Sequence, residues 1–121
     1  MMNLILKFEC LDGIYNISIT PNDSLINYEV ETNISYLENK SGSIETKDFI
    51  DRLNKIPFNK WNKEYQSNIE DGVKWNINYI NDNNSFQISG SEGNWPYEYD
   101  ELIKLVSLLD SNIEMFIANK K

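Results

Sequence analysis

Apolar and polar residues alternate along most of the N-terminal half. Every second residue is apolar over residues 4–10 and again over residues 15–19, and a turn at 11–13 separates the two stretches. This period of two is typical of strands with one buried face, so the pattern predicts a β-hairpin. A second turn at 21–24 is followed by alternation over residues 26–36, which predicts a third strand.

The same alternation returns in the second half of the chain. Val73, Trp75, Ile77 and Tyr79 share one parity, and the Asn-rich residues 81–84 are typical of a hairpin loop. Phe86 and Ile88 continue the apolar face on a returning strand. Residues 89–94, which are rich in Gly and Ser, follow neither period and are predicted to form a loop.

A helical period of apolar residues follows each group of strands. After a predicted loop at residues 39–43, Thr46 is expected to cap a helix that Pro57 ends. Its inner face carries four apolar residues: Phe49, Ile50, Leu53 and Ile56.

The second helix is predicted to follow Trp95-Pro96, since Pro suits a first helical turn. Its apolar stripe is Leu102, Leu105, Val106, Leu109, Ile113 and Phe116. The helix should run from about Glu98 to at least Leu109, or to Ala118 with a break at residues 110–112.

Together these elements predict a single α+β domain over residues 1–121. The expected fold is an antiparallel β meander of about five to six strands, in the order β-β-β-α-β-β-α, with two helices packed on one face. Residues 59–68 are ambiguous, and the spacing of Trp61 and Tyr65 suits a short helical turn.

Composition narrows the range of partners and of chemistry. Nineteen acidic against eleven basic residues give a net charge of −8, which argues against a nucleic acid or an anionic membrane as partner. The charge permits a basic protein partner, or it serves solubility alone. The absence of His excludes catalysis and metal binding that depend on imidazole. Cys10, the only cysteine, lies in a strand pattern and is predicted to be a small buried hydrophobe.

Signals for export, for metals and for phosphates are lacking. The N-terminus has no cationic region before its short apolar run, so we expect a cytoplasmic protein without a membrane span. A calcium loop around Gly72 fails, because Ile69 would occupy a ligand position and Asn78 the position of the terminal Glu. Residues 89–93 lack the Lys of a phosphate-binding loop. We therefore predict no catalytic residues, no metal and no cofactor, and a protein that is not an enzyme.

Three short patterns in the second half occur together. They are Trp61-x3-Tyr65, Asp71-Gly72-x2-Trp75 and Ser89-Gly90-x3-Asn94-x-Pro96, the last placed before the closing helix. The arrangement resembles a family of small, cytoplasmic and mostly uncharacterised bacterial proteins over residues 46–109. The corner SGSEGNWP is longer here than the SGSN-x-x-P form of that family. The resemblance implies no activity, but small acidic α+β proteins of this kind are similar to immunity proteins that neutralise a co-encoded toxin.

The corner and the start of the closing helix form the candidate partner-binding surface. It comprises Glu92, Asn94, Trp95, Tyr97, Glu98, Asp100 and Glu101. Aromatic residues in a Gly-rich loop have few ways to be buried, and carboxylates suit a basic partner. The alternatives are packing at the rim of the core for the aromatics and simple helix N-terminal charge for the acids. A glycosidase pair among these carboxylates is a further alternative, but no sugar pocket can be inferred.

These expectations lead to a functional hypothesis. We predict a non-enzymatic protein-binding module, an immunity-type inhibitor of a co-encoded basic toxin. The alternative is a homo-oligomeric structural or regulatory module that contacts its own copy, as in a homodimer, through the segment from Trp95 to Tyr99 or through a sheet edge.

Overall fold

The computed structural model describes residues 3–22, 24–65, 73–81, 85–91, 95–96 and 98–117. Within these ranges the chain forms one mixed sheet, two α-helices and two 3-10 helices. The strands are β1 (Asn3–Cys10), β2 (Gly13–Asn22), β3 (Leu25–Thr32), β4 (Lys40–Glu45), β5 (Glu64–Tyr65), β6 (Lys74–Ile80) and β7 (Ser85–Ser91). The α-helices are α1 (Thr46–Leu53) and α2 (Tyr99–Val106), and the 3-10 helices are Phe58–Lys60 and Ser111–Ile117.

The seven strands lie in the order β4-β3-β2-β1-β6-β7-β5. All neighbours are antiparallel except β5 and β7, which are parallel. The predicted α+β class is confirmed, whereas the meander of five to six strands is wrong. The first strand, β1, lies in the middle of the sheet, since it pairs with both β2 and β6. Two strands, β4 and β5, were not predicted.

One face of the sheet carries the core. Its buried residues share a parity on every long strand, and the register aligns them, as in the row Ile17, Leu6 and Ile77. The buried faces of α1 and α2 belong to the same apolar cluster, so both helices cover this face. The opposite face is polar and partly exposed, as an antiparallel sheet permits.

The third strand is shorter than predicted, and residues 39–43 are not simply a loop. The strand β3 ends at Thr32, whose backbone N–H donates to Asn39 Oδ1 at 2.8 Å, and the chain turns back to form β4. Gly42 lies directly opposite Tyr28 in this pairing. A Cβ at Gly42 would lie 2.7 Å from Tyr28 Oη, so the tyrosine ring occupies the space that a side chain would need.

Two further predicted loops contain strand residues. Part of the ambiguous stretch 59–68 is extended, because the Ser89 N–H donates to Lys63 O at 3.0 Å beside the parallel pair β5 and β7. Residues 89–91 continue β7, where Gly90 lies opposite Trp75. A Cβ at Gly90 would lie 2.5 Å from Trp75 Cζ2, so this glycine makes room for the indole. Residues 66–68, 71–72, 82–84 and 92–94 are outside the described ranges.

The helix ends also differ from the predicted ones. Helix α1 begins at Thr46, but Glu45 occupies the cap position and makes no side-chain cap bond. It ends at Leu53, before Pro57 is reached. Helix α2 ends at Val106, earlier than predicted, because a turn leads into Asp110. The helical run is interrupted as predicted, but over residues 107–110, and the 3-10 helix Ser111–Ile117 includes two of the three residues of the predicted break.

Asp110 holds this break against the sheet. Its side chain is buried, Oδ2 accepts from the Tyr15 hydroxyl at 2.6 Å, and Oδ1 lies 2.9 Å from Lys40 Nζ. The Asn112 N–H also donates to Oδ1. One carboxylate therefore joins β2, β4 and the C-terminal segment.

These contacts favour the ionised form of Asp110. Burial raises the pKa of its carboxyl, but hydrogen bonds from Lys40, Tyr15 and the Asn112 backbone, with the charge of Lys40, outweigh burial and lower it from 3.8. Burial and the neighbouring carboxylate raise the pKa of Tyr15, so the phenol stays protonated and donates.

Two buried tyrosines provide a matched test of this arrangement. Replacing Tyr15 by Phe removes a hydrogen bond to a buried carboxylate and should lower the free energy of unfolding by about 2 kcal/mol. Replacing Tyr99 by Phe removes a buried hydroxyl that has no partner in the described part of the chain, so stability should stay equal or rise by up to about 1 kcal/mol. Urea denaturation of both variants measures the difference, and equal losses would contradict the role assigned to Asp110.

Candidate functional site

The entry into α2 has an unusual backbone conformation. Glu98, which precedes the helix, has φ 60° and ψ 21°, and it is the one non-glycine residue with positive φ in the described ranges. The Tyr99 N–H donates to Pro96 O and the Glu101 N–H to Glu98 O, at 3.0 and 3.1 Å. These bonds hold a left-handed geometry that costs an ordinary residue about 1–2 kcal/mol.

The Glu98 and Glu101 side chains line one wall of a groove between the two helices. Arg52 and Lys55 line the other wall, and the groove has a volume of about 390 Å3. Ile56 and Leu105 form its apolar part. The groove therefore sets two carboxylates against two cations across an open space.

The acids at the start of α2 are partly neutralised. Lys104 Nζ lies 3.8 Å from Asp100 Oδ2 and 3.6 Å from Glu101 Oε2, with all three side chains at least half exposed. Exposed pairs of this kind contribute little to stability. The start of α2 carries three acidic residues and one lysine, and Arg52 and Lys55 line the same groove, so the surface offers charges of both signs.

Trp95 and Tyr99 are not an exposed aromatic segment. Tyr99 is fully buried, and Trp95 is half-buried, with its ring stacked on Trp75 at a centroid distance of 5.6 Å. The Trp95 and Tyr99 rings lie 4.5 Å apart. Packing therefore accounts for Tyr99, and a partner could contact only the outer part of Trp95.

The buried aromatic cluster has unsatisfied polar atoms. The indole N–H groups of Trp75 and Trp95 and the Tyr99 hydroxyl are buried and have no hydrogen-bond partner among the described residues. Burial raises the pKa of Tyr99 well above its usual range, so this phenol remains neutral. The cluster thus supports the start of α2 by ring packing rather than by polar bonds.

The structure brings together part of the predicted surface. Glu98, Asp100 and Glu101 are neighbours on the first turn of α2, with Trp95 packed beneath the same corner. Glu92, Asn94 and Tyr97 lie outside the described residues. Sequence reasoning missed Arg52 and Lys55, although a spacing of three within the helix predicted up to Pro57 indicates one side. In the structure Arg52 lies in the last turn of α1 and Lys55 in the turn that follows it.

A metal centre or a membrane-spanning helix would need its own arrangement of residues. No group of three or more His, Cys, Asp or Glu side chains in the described part of the chain is arranged to hold a metal ion. Among the described residues, neither α-helix has the length and apolar character required to cross a membrane. The charged groove, which Glu98 helps to line, could bind a partner through its charge and its shape.

The chain matches no protein-family model, and no curated protein is similar to it. The motif resemblance over residues 46–109 therefore stays a prediction.

The Glu98 backbone can be tested separately from the Glu98 charge. Replacing Glu98 by Gly should raise the free energy of unfolding by about 1 kcal/mol relative to Glu98→Ala, because only Gly takes positive φ without strain. Both variants lack the carboxylate, so thermal or urea denaturation of the pair reports the backbone term. Equal stabilities would mean that residue 98 is not held in the left-handed conformation.

Proposed function

We propose that this protein is a non-enzymatic protein-binding module, an immunity-type inhibitor that neutralises a co-encoded basic toxin. The observation that carries the proposal is the placement of Glu98 and Glu101 on an open groove beside the start of α2. A net charge of −8 on the chain supports the same choice of partner.

Electrostatics give the proposed mechanism. A negatively charged protein steers a basic partner towards itself, and local carboxylates then fix the orientation of the complex. Glu98 and Glu101 would accept charge-assisted hydrogen bonds from Lys or Arg of the partner. Arg52 and Lys55 on the facing wall would pair with acidic residues of the same partner, which adds selectivity.

The strained backbone of Glu98 supports a role in binding rather than in folding. A non-glycine residue with positive φ costs stability, and such residues are concentrated at functional sites. Glu98 makes no side-chain cap bond to α2, so its carboxylate does not repay that cost by capping the helix. Because this carboxylate does not cap the helix, we infer that it is used to contact a partner.

The alternative is a homo-oligomeric structural or regulatory module. Burial of Tyr99 removes the Trp95–Tyr99 segment as a simple self-contact, which leaves the sheet edge as its surface. Light scattering at low and high protein concentration distinguishes the two hypotheses, because a strictly monomeric protein excludes this alternative.

The binding proposal is tested with paired charge-neutral variants. The double variant Glu98→Gln, Glu101→Gln should weaken binding to the partner about 10-fold, because two charge-assisted contacts are lost. The partner is first sought as the product of the adjacent gene and by affinity capture from the native host. Its affinity is then measured by calorimetry, and its toxicity by growth with and without this protein.

The control is Glu64→Gln, Glu114→Gln, which removes the same charge at two exposed positions away from the groove. It should change affinity less than about 3-fold, and neither double variant should lower the melting temperature appreciably. If both double variants lost affinity equally, binding would depend on the net charge of the protein and not on the groove. The proposal fails if no basic protein is captured and the adjacent gene encodes nothing toxin-like.

A further inference from the structure

The two edges of the sheet differ in how they are protected. The edge strand β5 has two residues, and short edges offer little template for another chain. The other edge, β4, has six residues and pairs on one side with β3. No described residue outside β3 makes a backbone hydrogen bond to β4.

The hydrogen-bond alternation shows which groups of β4 face outwards. Asn33 N–H donates to Ile14 O of the β2 side, whereas Thr32 N–H points the other way, to Asn39. Residues of β3 with the parity of Thr32 therefore bond to β4, and their partners are Lys40, Gly42 and Ile44. The backbone N–H and C=O groups of Ser41 and Ser43 consequently point away from the sheet.

The β4 edge is only partly protected against strand addition. Proteins commonly place Pro, a bulge or a charged side chain on an edge strand. Strand β4 has no Pro, and the side chain of its lysine, Lys40, is 44% exposed but has its Nζ 2.9 Å from the buried Asp110. Ser41 and Ser43 are exposed and small, so they leave room for a neighbouring strand.

The face beside this edge is acidic. Glu29, Glu31 and Glu45 lie on the polar face of β3 and β4, and the polar faces of β2, β3 and β4 carry no Lys or Arg. Two shallow depressions of about 480 and 420 Å3 share Glu29 and Ser41 in their linings. Among the described residues, Glu29 is the only charged one that lines the larger depression, and Glu31 and Lys40 also line the smaller one. Charge and shape thus favour a cationic occupant.

We propose that the β4 edge binds an extended basic segment of the partner as an additional strand. The inference rests on the proposed function for the existence of a basic partner, but it names a different surface and a different mode of recognition. A second copy of this chain fits the edge poorly, because it would bring its own Glu29, Glu31 and Glu45 against the same residues.

The register sets the chemistry of that segment. A residue placed opposite Ser41 would lie two strand spacings, roughly 9.6 Å, from Glu29. A Lys or Arg side chain can cross the small Ser41 towards this carboxylate. Since side chains alternate between faces, the preferred segment carries Lys or Arg at every second position.

The probe for this site is a short blocked peptide in which Lys alternates with Thr or Val. In nuclear magnetic resonance spectra of the wild-type protein, titration should shift the Ser41 and Ser43 amides most and leave Glu98 and Glu101 unchanged. The same peptide with Glu in place of Lys should not bind. The same Lys peptide with N-methylated backbone amides keeps the charge but cannot donate strand bonds, and it should bind at least 10-fold more weakly.

A pair of variants tests the strand bonds from the protein side. Ser43→Pro removes one outward N–H on an edge, where Pro is tolerated, and should weaken peptide binding about 10-fold. Ser43→Thr keeps that N–H and has good strand propensity, so it should bind as the wild type does. Circular dichroism shows whether each variant is folded, and the wild-type titration decides the question if Ser43→Pro is not.

Each outcome supports or overturns the edge proposal. Equal binding of the unmodified and N-methylated Lys peptides would reduce the interaction to charge attraction and overturn the proposal, as would shifts centred on α2. If the protein dimerises and Ser43→Pro abolishes the dimer, the β4 edge pairs with a second copy of the chain and the proposal is overturned. If the peptide fails while a captured basic partner still depends on Glu98 and Glu101, the edge proposal falls and the proposed function stands.

Discussion

The buried carboxylate of Asp110 is the interaction on which the rest of the structure depends. It lies where the C-terminal segment leaves α2, and it accepts a hydrogen bond from Tyr15 of β2 and an ion pair from Lys40 of β4. A buried charge is costly unless it is paired and hydrogen-bonded, so these partners must stay in place together. The requirement couples three parts of the chain that are distant in sequence. It also fixes the side of the sheet that the C-terminal segment covers.

The same contact determines the character of the β4 edge. Lys40 is the one lysine of this edge strand, and its partly exposed side chain pairs its ammonium group with the buried carboxylate of Asp110. Ser41 and Ser43 remain as small outward residues beside Glu29. Glu98, whose φ is positive, directly precedes α2. It lines the groove together with Arg52 and Lys55. Stability and binding are thus assigned to different residues, and the two proposed binding surfaces can be tested independently.

The parts of the fold that follow from periodicity were predictable, and those that follow from long-range pairing were not. Alternation located β1, β2 and β6, and the acidic start and apolar stripe located α2. The strand β4, with Ser-Gly-Ser at its centre, has weak strand propensity, and it forms because Gly42 accommodates the ring of Tyr28. Glu98, Asp100 and Glu101 were predicted as neighbours from their spacing. Burial of Tyr99 and the positive φ of Glu98 could not be predicted, since the first results from packing on Trp75 and the second belongs to a turn held by backbone bonds to Pro96 and Glu98.

The most direct test of the Asp110 account is the pH dependence of the stability difference between the wild type and Asp110→Asn. The folded-state pKa of Asp110 lies below 3.8, so its ionised form stabilises the fold above the unfolded-state pKa, and this contribution is lost as pH falls through the folded-state value. Urea denaturation at a series of pH values should show a constant wild-type advantage at neutral pH that shrinks below about pH 4. Subtracting the variant cancels the titration of the other carboxylates. A difference that does not change with pH would contradict the claim that an ionised Asp110 joins the sheet to the C-terminal segment.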